Sequence, residues 1–96
     1  MGILADIEGF FESFFKGPAT PDQKAKYLDH KVTTTNQRLD WRHSVVDLLT
    51  LMGQDSSLSA RATLAKEFGH QGPFTGTADQ NIWLHQKLMD NLKLAK

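Results

Sequence analysis

Residues 3–15 combine a helical spacing of apolar residues with an unusual concentration of phenylalanine. The apolar positions follow i, i+1, i+4, i+7, i+8, i+11 and i+12 and comprise Ile3, Leu4, Ile7, Phe10, Phe11, Phe14 and Phe15. This spacing places them on one side of a helix, and the acidic residues of the segment fall on the other. Gly17-Pro18 follows, and helices rarely continue through such a pair. The pattern predicts an amphipathic N-terminal helix that ends before a spacer containing proline.

The segment after the spacer predicts two helices separated by a polar loop. Pro21 suits the first turn of a helix that runs to about residue 32. The loop TTTNQR follows, and Asp40 is the expected N-cap of the third helix, which Gly53 would terminate. The apolar positions that share helical spacing are Ala25, Tyr27, Leu28 and Val32 in one helix and Trp41, Val45, Leu48, Leu49 and Met52 in the next.

The C-terminal segment predicts two more helices around the turn-rich loop HQGPFTG. The fourth helix is expected to begin near Ser56 or Ser57 and to end at Gly69. Thr77 and Gln80 have the spacing of a capping box, which predicts the start of the last helix. The expected apolar faces are Leu58, Ala62, Ala65 and Phe68 for the fourth helix and Ile82, Trp83, Leu84, Leu88, Met89 and Leu92 for the last.

These patterns predict an all-α protein in which a compact bundle of about four short helices follows a separate amphipathic helix. No segment shows the two-residue alternation of a half-buried strand. The expected layout is a docking helix in residues 1–16, a Pro/Gly linker in residues 17–21 and a helical domain in residues 22–96. Four leucines of the third and last helices should be largely buried, since their apolar faces must pack against something: Leu48, Leu49, Leu84 and Leu88.

The composition excludes or disfavours several classes of function. Eleven basic and eleven acidic residues cancel, so no net charge favours nucleic acid as a partner. Cysteine is absent, which excludes disulfides, thiolate metal sites and thiol catalysis. No apolar run reaches the roughly 20 residues of a membrane span, and the N-terminus lacks the basic start of a secretory signal. The expected location is therefore the cytoplasm.

Five short motifs in the C-terminal part resemble a known family. The motifs LDWR, VDLL, DSSL, LAKE and NIWLH lie within roughly residues 22–93. Together they resemble the small bacterial proteins catalogued as domain of unknown function 3597. That resemblance implies a compact helical domain, commonly preceded by a short apolar helix and an Ala/Pro-rich linker. The linker is shorter here than is usual in the family, and the family brings no activity with it.

Two groups of residues are candidates for small sites. Trp41, Arg42 and His43 could form a second recognition patch, since aromatic residues and arginine dominate binding hot spots; the alternative is that the tryptophan closes one end of the core. His43 and Asp47 have a spacing that could hold one metal ion. A third ligand with suitable spacing is missing, so neither a metal nor another cofactor is expected.

Other activities receive weaker support from the sequence. The last helix carries few basic or amide side chains in its first turns, which argues against a DNA-recognition helix. GPFTGT followed by a helix resembles part of a peptidoglycan-binding motif, and peptidoglycan binding is an alternative function. No nucleophile elbow or phosphate-binding glycine loop occurs, so the chain is not expected to be an enzyme.

The N-terminal helix leaves three interpretations open. It could fold back onto the core of its own domain, lie on a membrane surface, or dock onto another protein or other copies of the chain. The acidic polar face disfavours the membrane, where lysine and arginine are usual. A separable helix explains both the apolar excess and the proline break. Docking through the seven apolar residues of positions 3–15 is therefore the preferred prediction, with the protein as a non-enzymatic interaction or assembly subunit.

Overall fold

The structure, a computed structural model, describes residues 3–12 and 19–94, and the side chains of residues 4–10 and 19–94. Over these residues the protein is all-α, with five helices and no strand. The helices are α1 (Ile3–Glu12), α2 (Pro21–Thr33), α3 (Val45–Leu51), α4 (Leu58–Glu67) and α5 (Ala78–Leu92). The predicted fold class is thereby confirmed at the level of an all-α bundle. None of the described helices is long and apolar enough to cross a bilayer.

Side-chain caps fix the starts of α2 and α5, as the sequence predicts for α5. Thr20 and Gln23 form a capping box in which the Thr20 hydroxyl accepts from the Gln23 N–H and the Gln23 amide oxygen accepts from the Thr20 N–H. Thr77 and Gln80 repeat the arrangement at α5. Each box supplies acceptors for backbone N–H groups that the first helical turn leaves without partners.

The start of α3 differs from the sequence prediction. Asp40 opens a tight turn, in which its carbonyl accepts from the N–H groups of His43 and Ser44, and the helix begins only at Val45. Ser44 is the true N-cap, because its hydroxyl accepts from the Asp47 N–H. The Asp40 carboxylate instead contacts the His43 ring. An aspartate and a serine four residues apart are both good caps, and the local sequence does not distinguish between them.

The buried face of α4 is also partly different from the predicted one. Ala60, Leu64 and Ala65 are buried, whereas Leu58 is 45% exposed. Leu58 lies over the loop before α5, where a Cβ atom added at Gly76 would be 2.9 Å from the leucine Cδ1. Gly76 also has φ +79°, a conformation that suits glycine. The leucine therefore covers a glycine turn and not the core.

The core is continuous, and α5 supplies its largest share. From α5 the buried residues are Leu84, His85, Leu88, Met89 and Leu92. The predicted central leucines are confirmed, since Leu48, Leu49, Leu84 and Leu88 are each at most 1% exposed. Ile82, which the pattern also placed on this apolar front, is 53% exposed. Met89, on the same helix, is 2% exposed and belongs to the same core cluster.

The N-terminal helix joins this core. Ile7 is fully buried in the same cluster as the leucines of α3 and α5. Leu4 and Phe10 are partly buried against the cluster, and α1 packs mainly against α4. Within the described residues, α1 thus belongs to the same bundle as α2 to α5.

Candidate partner interface

Three of the residues predicted to contact a partner have described side chains, and they lie either in the core or at its margin. Ile7 lies in the core, and Leu4 and Phe10 flank it at the margin. The remaining predicted contact residues cannot be placed: the side chains of Ile3 and Phe11, and the whole of Phe14 and Phe15, lie outside the described residues. The side chains that the structure does describe therefore contact the chain itself.

This placement corrects the picture of α1 as a helix held apart from its domain. Of the three interpretations of the sequence, the described part of α1 fits the one in which the helix folds back onto the core of its own domain. The physical reason is the gain from removing apolar surface from water, roughly 1.5–3 kcal/mol for a buried isoleucine or phenylalanine. A ten-residue helix alone in water is marginal, so docking also stabilises the helix itself.

Contacts with α2 fix the position of α1 at its second turn. The Phe10 ring lies 5.9 Å from the Tyr27 ring, centroid to centroid and tilted by 57°. The Lys31 ammonium lies 5.3 Å above the Phe10 ring. Both geometries are attractive, since an aromatic ring prefers a tilted neighbour and its face attracts a cation. Tyr27 and Lys31 thus belong to the interface, although no feature of the sequence linked them to the N-terminal helix.

The opposite side of α1 faces solvent. Ala5, Asp6 and Glu8 are exposed, as the helical period predicts for the acidic face. The described part of α1 therefore has one apolar side, which is covered, and one acidic side, which is free to face water. This division makes Ala5 and Ile7 a matched pair of positions on one helix, one exposed and one buried.

The second candidate patch has a different composition from the predicted one. Trp41 is 2% exposed, so its ring belongs to the core, the alternative stated for it from the sequence. Arg42 covers it, with the guanidinium carbon 4.3 Å from the ring centroid. Asp29 on α2 accepts from the Trp41 indole N–H at 3.1 Å and from both terminal nitrogens of Arg42 at 2.6 and 3.0 Å. Hydrogen bonds from Arg42 hold the pKa of the Asp29 carboxyl below its ordinary value of 3.8.

The surface beside Arg42 includes residues of α5 that the sequence did not link to it. Arg42, His43, Ile82, His85, Gln86 and Met89 line a cavity of about 450 Å³. Ile82 is the exposed apolar residue here, one helical turn before Gln86. The Arg42 guanidinium is already paired with the Asp29 carboxylate, and the His43 ring contacts Asp40, so both side chains have partners within the chain.

A buried histidine joins this surface to the core. His85 is 8% exposed, and its Nε2 donates to the Trp41 carbonyl oxygen at 2.7 Å. That nitrogen carries a proton and cannot also bind a metal ion. Among the described residues no group of three or more histidine or acidic side chains could hold a metal. The helical spacing of His85 with Leu84 and Leu88 was the signal that could have identified it as a core residue.

The loop HQGPFTG is organised by its own side chains. The Gln80 amide oxygen accepts from the backbone N–H groups of Thr75, Gly76 and Thr77 at 2.8, 2.9 and 3.2 Å. The His70 ring packs edge-on against Phe74 and against Trp83, with centroid distances of 5.6 and 5.0 Å. The loop is therefore a structural connection whose backbone donors near α5 are engaged internally.

Comparison with known proteins gives the chain a family. The sequence profile of a domain of unknown function, DUF3597, matches residues 15–95. The chain belongs to this family. A similar structure, determined in solution, is that of a conserved unknown protein from Rhodopseudomonas palustris. The two are 33% identical, the match covers 96% of this chain and 90% of the other, and the TM-score is 0.72. No curated protein matches the chain.

The boundary of the DUF3597 match separates α1 from the rest of the interface. The match begins at residue 15, after the end of α1, and includes α4 and α2. The surface that receives Ile7 thus belongs to the family domain, whereas the helix that fills it precedes the matched segment. The similar structure from Rhodopseudomonas palustris covers 96% of this chain, so that match extends into α1.

Proposed function

We propose that this DUF3597 protein is a non-enzymatic interaction or assembly protein in which an apolar helix and a groove form the binding pair. The groove lies on the family domain, where α4 and α2 face α1. The occupant is the apolar face of α1 or a helix of similar pattern. Docking onto a partner protein or onto other copies of the chain uses this same pair. The observation that carries the proposal is the complete burial of Ile7, an apolar residue of the amphipathic α1, in the core that the other helices form.

The apolar side chains at this interface are enclosed to different degrees. Among the described side chains of α1, Ile7 is fully enclosed, whereas Leu4 and Phe10 are partly exposed. Ordering the backbone of a helix costs roughly 1–2 kcal/mol for each residue, which offsets part of what burial of the apolar face contributes. Helix-in-groove recognition by a few anchors at helical spacing is a common form of peptide binding.

A synthetic helix tests the proposal directly. A fluorescent peptide of residues 1–16 should bind full-length protein, and its anisotropy should rise to saturation. The same peptide with Ile7→Asp should lose binding, because a charge would enter a desolvated site. A peptide with Ala5→Asp carries the same added charge on the exposed face and should bind like the original.

The full-length Ile7→Asp protein provides the second half of this test. The α1 of this variant should no longer occupy the groove. The unaltered peptide should therefore bind the Ile7→Asp protein more tightly than it binds the unaltered protein. Equal affinity for the two proteins, or equal loss from the Ile7→Asp and Ala5→Asp peptides, would contradict the proposal.

Two alternatives rank below this function. Peptidoglycan binding through HQGPFTG is weakened because Gln80 already engages the N–H groups of residues 75–77. Membrane docking through α1 is weakened by the exposed Asp6 and Glu8, since anionic lipid repels acidic side chains. Both alternatives can be tested by comparing the unaltered protein with Ile7→Asp. Retention on purified cell wall would support peptidoglycan binding, and flotation with anionic liposomes would support membrane docking.

A further inference from the structure

We infer that the cavity beside Arg42 binds a small, uncharged aromatic molecule that carries one hydroxyl group, a molecule of the phenol class. The cavity has a volume of about 450 Å³, near the lower end of the roughly 300–1,000 Å³ that ligand pockets span. It lies between α5 and the turn before α3, and none of its lining residues belongs to α1. The inference is therefore independent of the proposed function.

His85 places one polar group with an unused hydrogen-bonding position in this cavity. The side chain is 8% exposed, and its Nε2 donates to the Trp41 carbonyl oxygen at 2.7 Å. In the neutral ring Nδ1 therefore holds a lone pair. Among the described residues nothing donates to Nδ1, and no side-chain nitrogen or oxygen there is both without a partner and closed to solvent. Nδ1 is thus accessible, and the cavity that His85 lines is the space it faces.

The free lone pair of His85 selects a ligand that donates a hydrogen bond. The contact with the Trp41 carbonyl fixes the tautomer and the orientation of the ring, so the acceptor is in place before a ligand arrives. An O–H group on the ligand completes the hydrogen bonding of Nδ1. A methyl group of the same size would instead cover the acceptor and leave it unpaired, which costs binding free energy.

The two basic side chains at the edge of the cavity favour an uncharged ligand. Both terminal nitrogens of Arg42 donate to Asp29, and the His43 ring contacts the Asp40 carboxylate. An anionic ligand would have to compete with these carboxylates and would bring its own lone pairs close to that of His85. A cationic ligand would be repelled by the Arg42 guanidinium.

The remaining lining residues favour an aromatic body. Ile82 is 53% exposed and gives the cavity an aliphatic wall, so a ligand that covers it removes apolar surface from water. Met89 and Arg42 also line the cavity, and a thioether sulfur and a guanidinium both attract an aromatic ring. One aromatic ring with a hydroxyl group thus matches the size, the apolar wall and the acceptor of the site.

Nitrogen NMR spectroscopy of isotope-labelled full-length protein, with phenol as the probe, tests the inference. At mildly alkaline pH the free protein should show His85 as the tautomer that carries its proton on Nε2. Phenol should shift the His85 Nδ1 resonance saturably, together with the amides of Ile82, Gln86 and Met89, whereas the ring nitrogens of the exposed His30 should not move. Toluene, which has a methyl group in place of the hydroxyl, should bind at least about fivefold more weakly.

Two exposed aliphatic residues provide a matched pair of variants. Ile82→Ala removes part of the cavity wall and should weaken the binding of phenol and of toluene by about fourfold or more, because both lose the same apolar contact. Leu58→Ala is the control. Leu58 is 45% exposed and lies over the loop before α5, outside the cavity, so both affinities should stay unchanged. Circular dichroism checks that each variant is folded.

The outcomes decide the inference as follows for the site and for its acceptor. Saturable binding of phenol at these residues, weaker binding of toluene, and sensitivity to Ile82→Ala but not to Leu58→Ala support it. Equal affinities for phenol and toluene would show that His85 does not accept from the hydroxyl, and would overturn it. The absence of a saturable shift, a proton on Nδ1 in the free protein, or equal effects of the two substitutions would overturn it as well.

Discussion

The first and last helices of the bundle bury apolar residues in the same core in very different ways. α5 contributes five buried residues, whereas α1 contributes one among its described side chains. Both ends of α5 are also held, by the capping box at Thr77 and by the Lys24 ammonium, which donates to the Leu92 carbonyl at 2.8 Å. Yet the sequence of α1 is the more apolar of the two. How firmly a helix is held depends on enclosure and on its ends, and not on its apolar content.

This contrast predicts two levels of stability in one bundle. Among the described side chains, opening of α1 exposes Ile7 and parts of Leu4 and Phe10, whereas opening of α5 exposes the centre of the core. Local opening of a lightly packed element costs less free energy than global unfolding. Four substitutions test this difference in stability, in order from the largest expected effect to the smallest.

Leu88→Ala should give the largest loss. Leu88 is fully buried, and removing a buried leucine side chain costs about 2–5 kcal/mol in unfolding free energy, which is a large part of the stability of so small a domain. Denaturant unfolding followed by circular dichroism measures the change. Ile82→Ala on the same helix is the control and should change stability by less than about 0.5 kcal/mol, because Ile82 is 53% exposed. Similar losses from both would mean that α5 is placed wrongly.

Ile7→Ala should have a smaller and more local effect. The substitution leaves a cavity under α1, but α1 can open without the rest of the bundle, so its cost cannot exceed the free energy of docking. Amide hydrogen exchange should accelerate in α1 while protection in α5 is retained. Ala5→Gly, at an exposed position of the same helix, separates loss of docking from loss of helix propensity. Equal acceleration in α1 and α5 would show that the bundle opens as one unit.

Gln80→Ala should destabilise the start of α5 by about 1 kcal/mol. The substitution removes the oxygen that accepts from three backbone N–H groups, at residues 75, 76 and 77. Water can replace part of this bonding because most of the loop is exposed. Gln86→Ala, an exposed residue of the same helix, is the matched control, and thermal unfolding compares the two. Unfolding curves that coincide would indicate that the cap contributes nothing to how α5 is held.

Asp29→Asn should produce the smallest change, and the change should depend on pH. The pKa of Asp29 is lowered in the folded protein, chiefly by hydrogen bonds from Arg42. Its contribution is therefore present above the ordinary value of 3.8 and is lost as the pH falls through the lowered folded pKa. The side chain is 49% exposed, so solvent screening keeps the effect below about 1 kcal/mol.

Denaturant unfolding at several pH values measures this change. The asparagine oxygen can still accept from the Trp41 indole and from one Arg42 nitrogen, so the variant removes the charge and one hydrogen bond to Arg42. The stability difference between the two proteins should shrink in acid. A difference that stays constant from neutral pH to strong acid would contradict the assignment.

The sequence predicted those features that depend on neighbouring residues. Thr77 and Gln80 identify the start of α5 because the cap is made within four residues. The leucines at helical spacing identify the core faces of α3 and α5 for the same reason. Asp40 failed as a cap because Ser44 offered an equally good one, and Leu58 failed as a core residue because it covers a distant glycine turn. Local rules are weakest where two local solutions compete or where a long-range contact decides.

The candidate interface was less predictable than the fold. The period of α1 separated its apolar and acidic faces, but no local signal showed that the apolar face would meet Tyr27 and Lys31. Trp41 could, from the sequence, have belonged to a recognition patch or closed one end of the core; it is buried, and Arg42 covers its ring. An amphipathic pattern predicts that one face of a helix is buried. It does not predict which residues cover that face, because those depend on the tertiary structure.

Burial of Ile7 against α4 also sets an order of events during synthesis. α1 leaves the ribosome first, whereas its docking site is incomplete until α4, Leu58–Glu67, has been made. At the usual rate of about 5–20 residues per second, that delay is roughly 3–12 s. Chains arrested on the ribosome before Leu58 should therefore recruit a holding chaperone, and Ile7→Asp chains arrested at the same length should recruit less. A helix that is translated early thus keeps its apolar face without its docking site until α4 has been made.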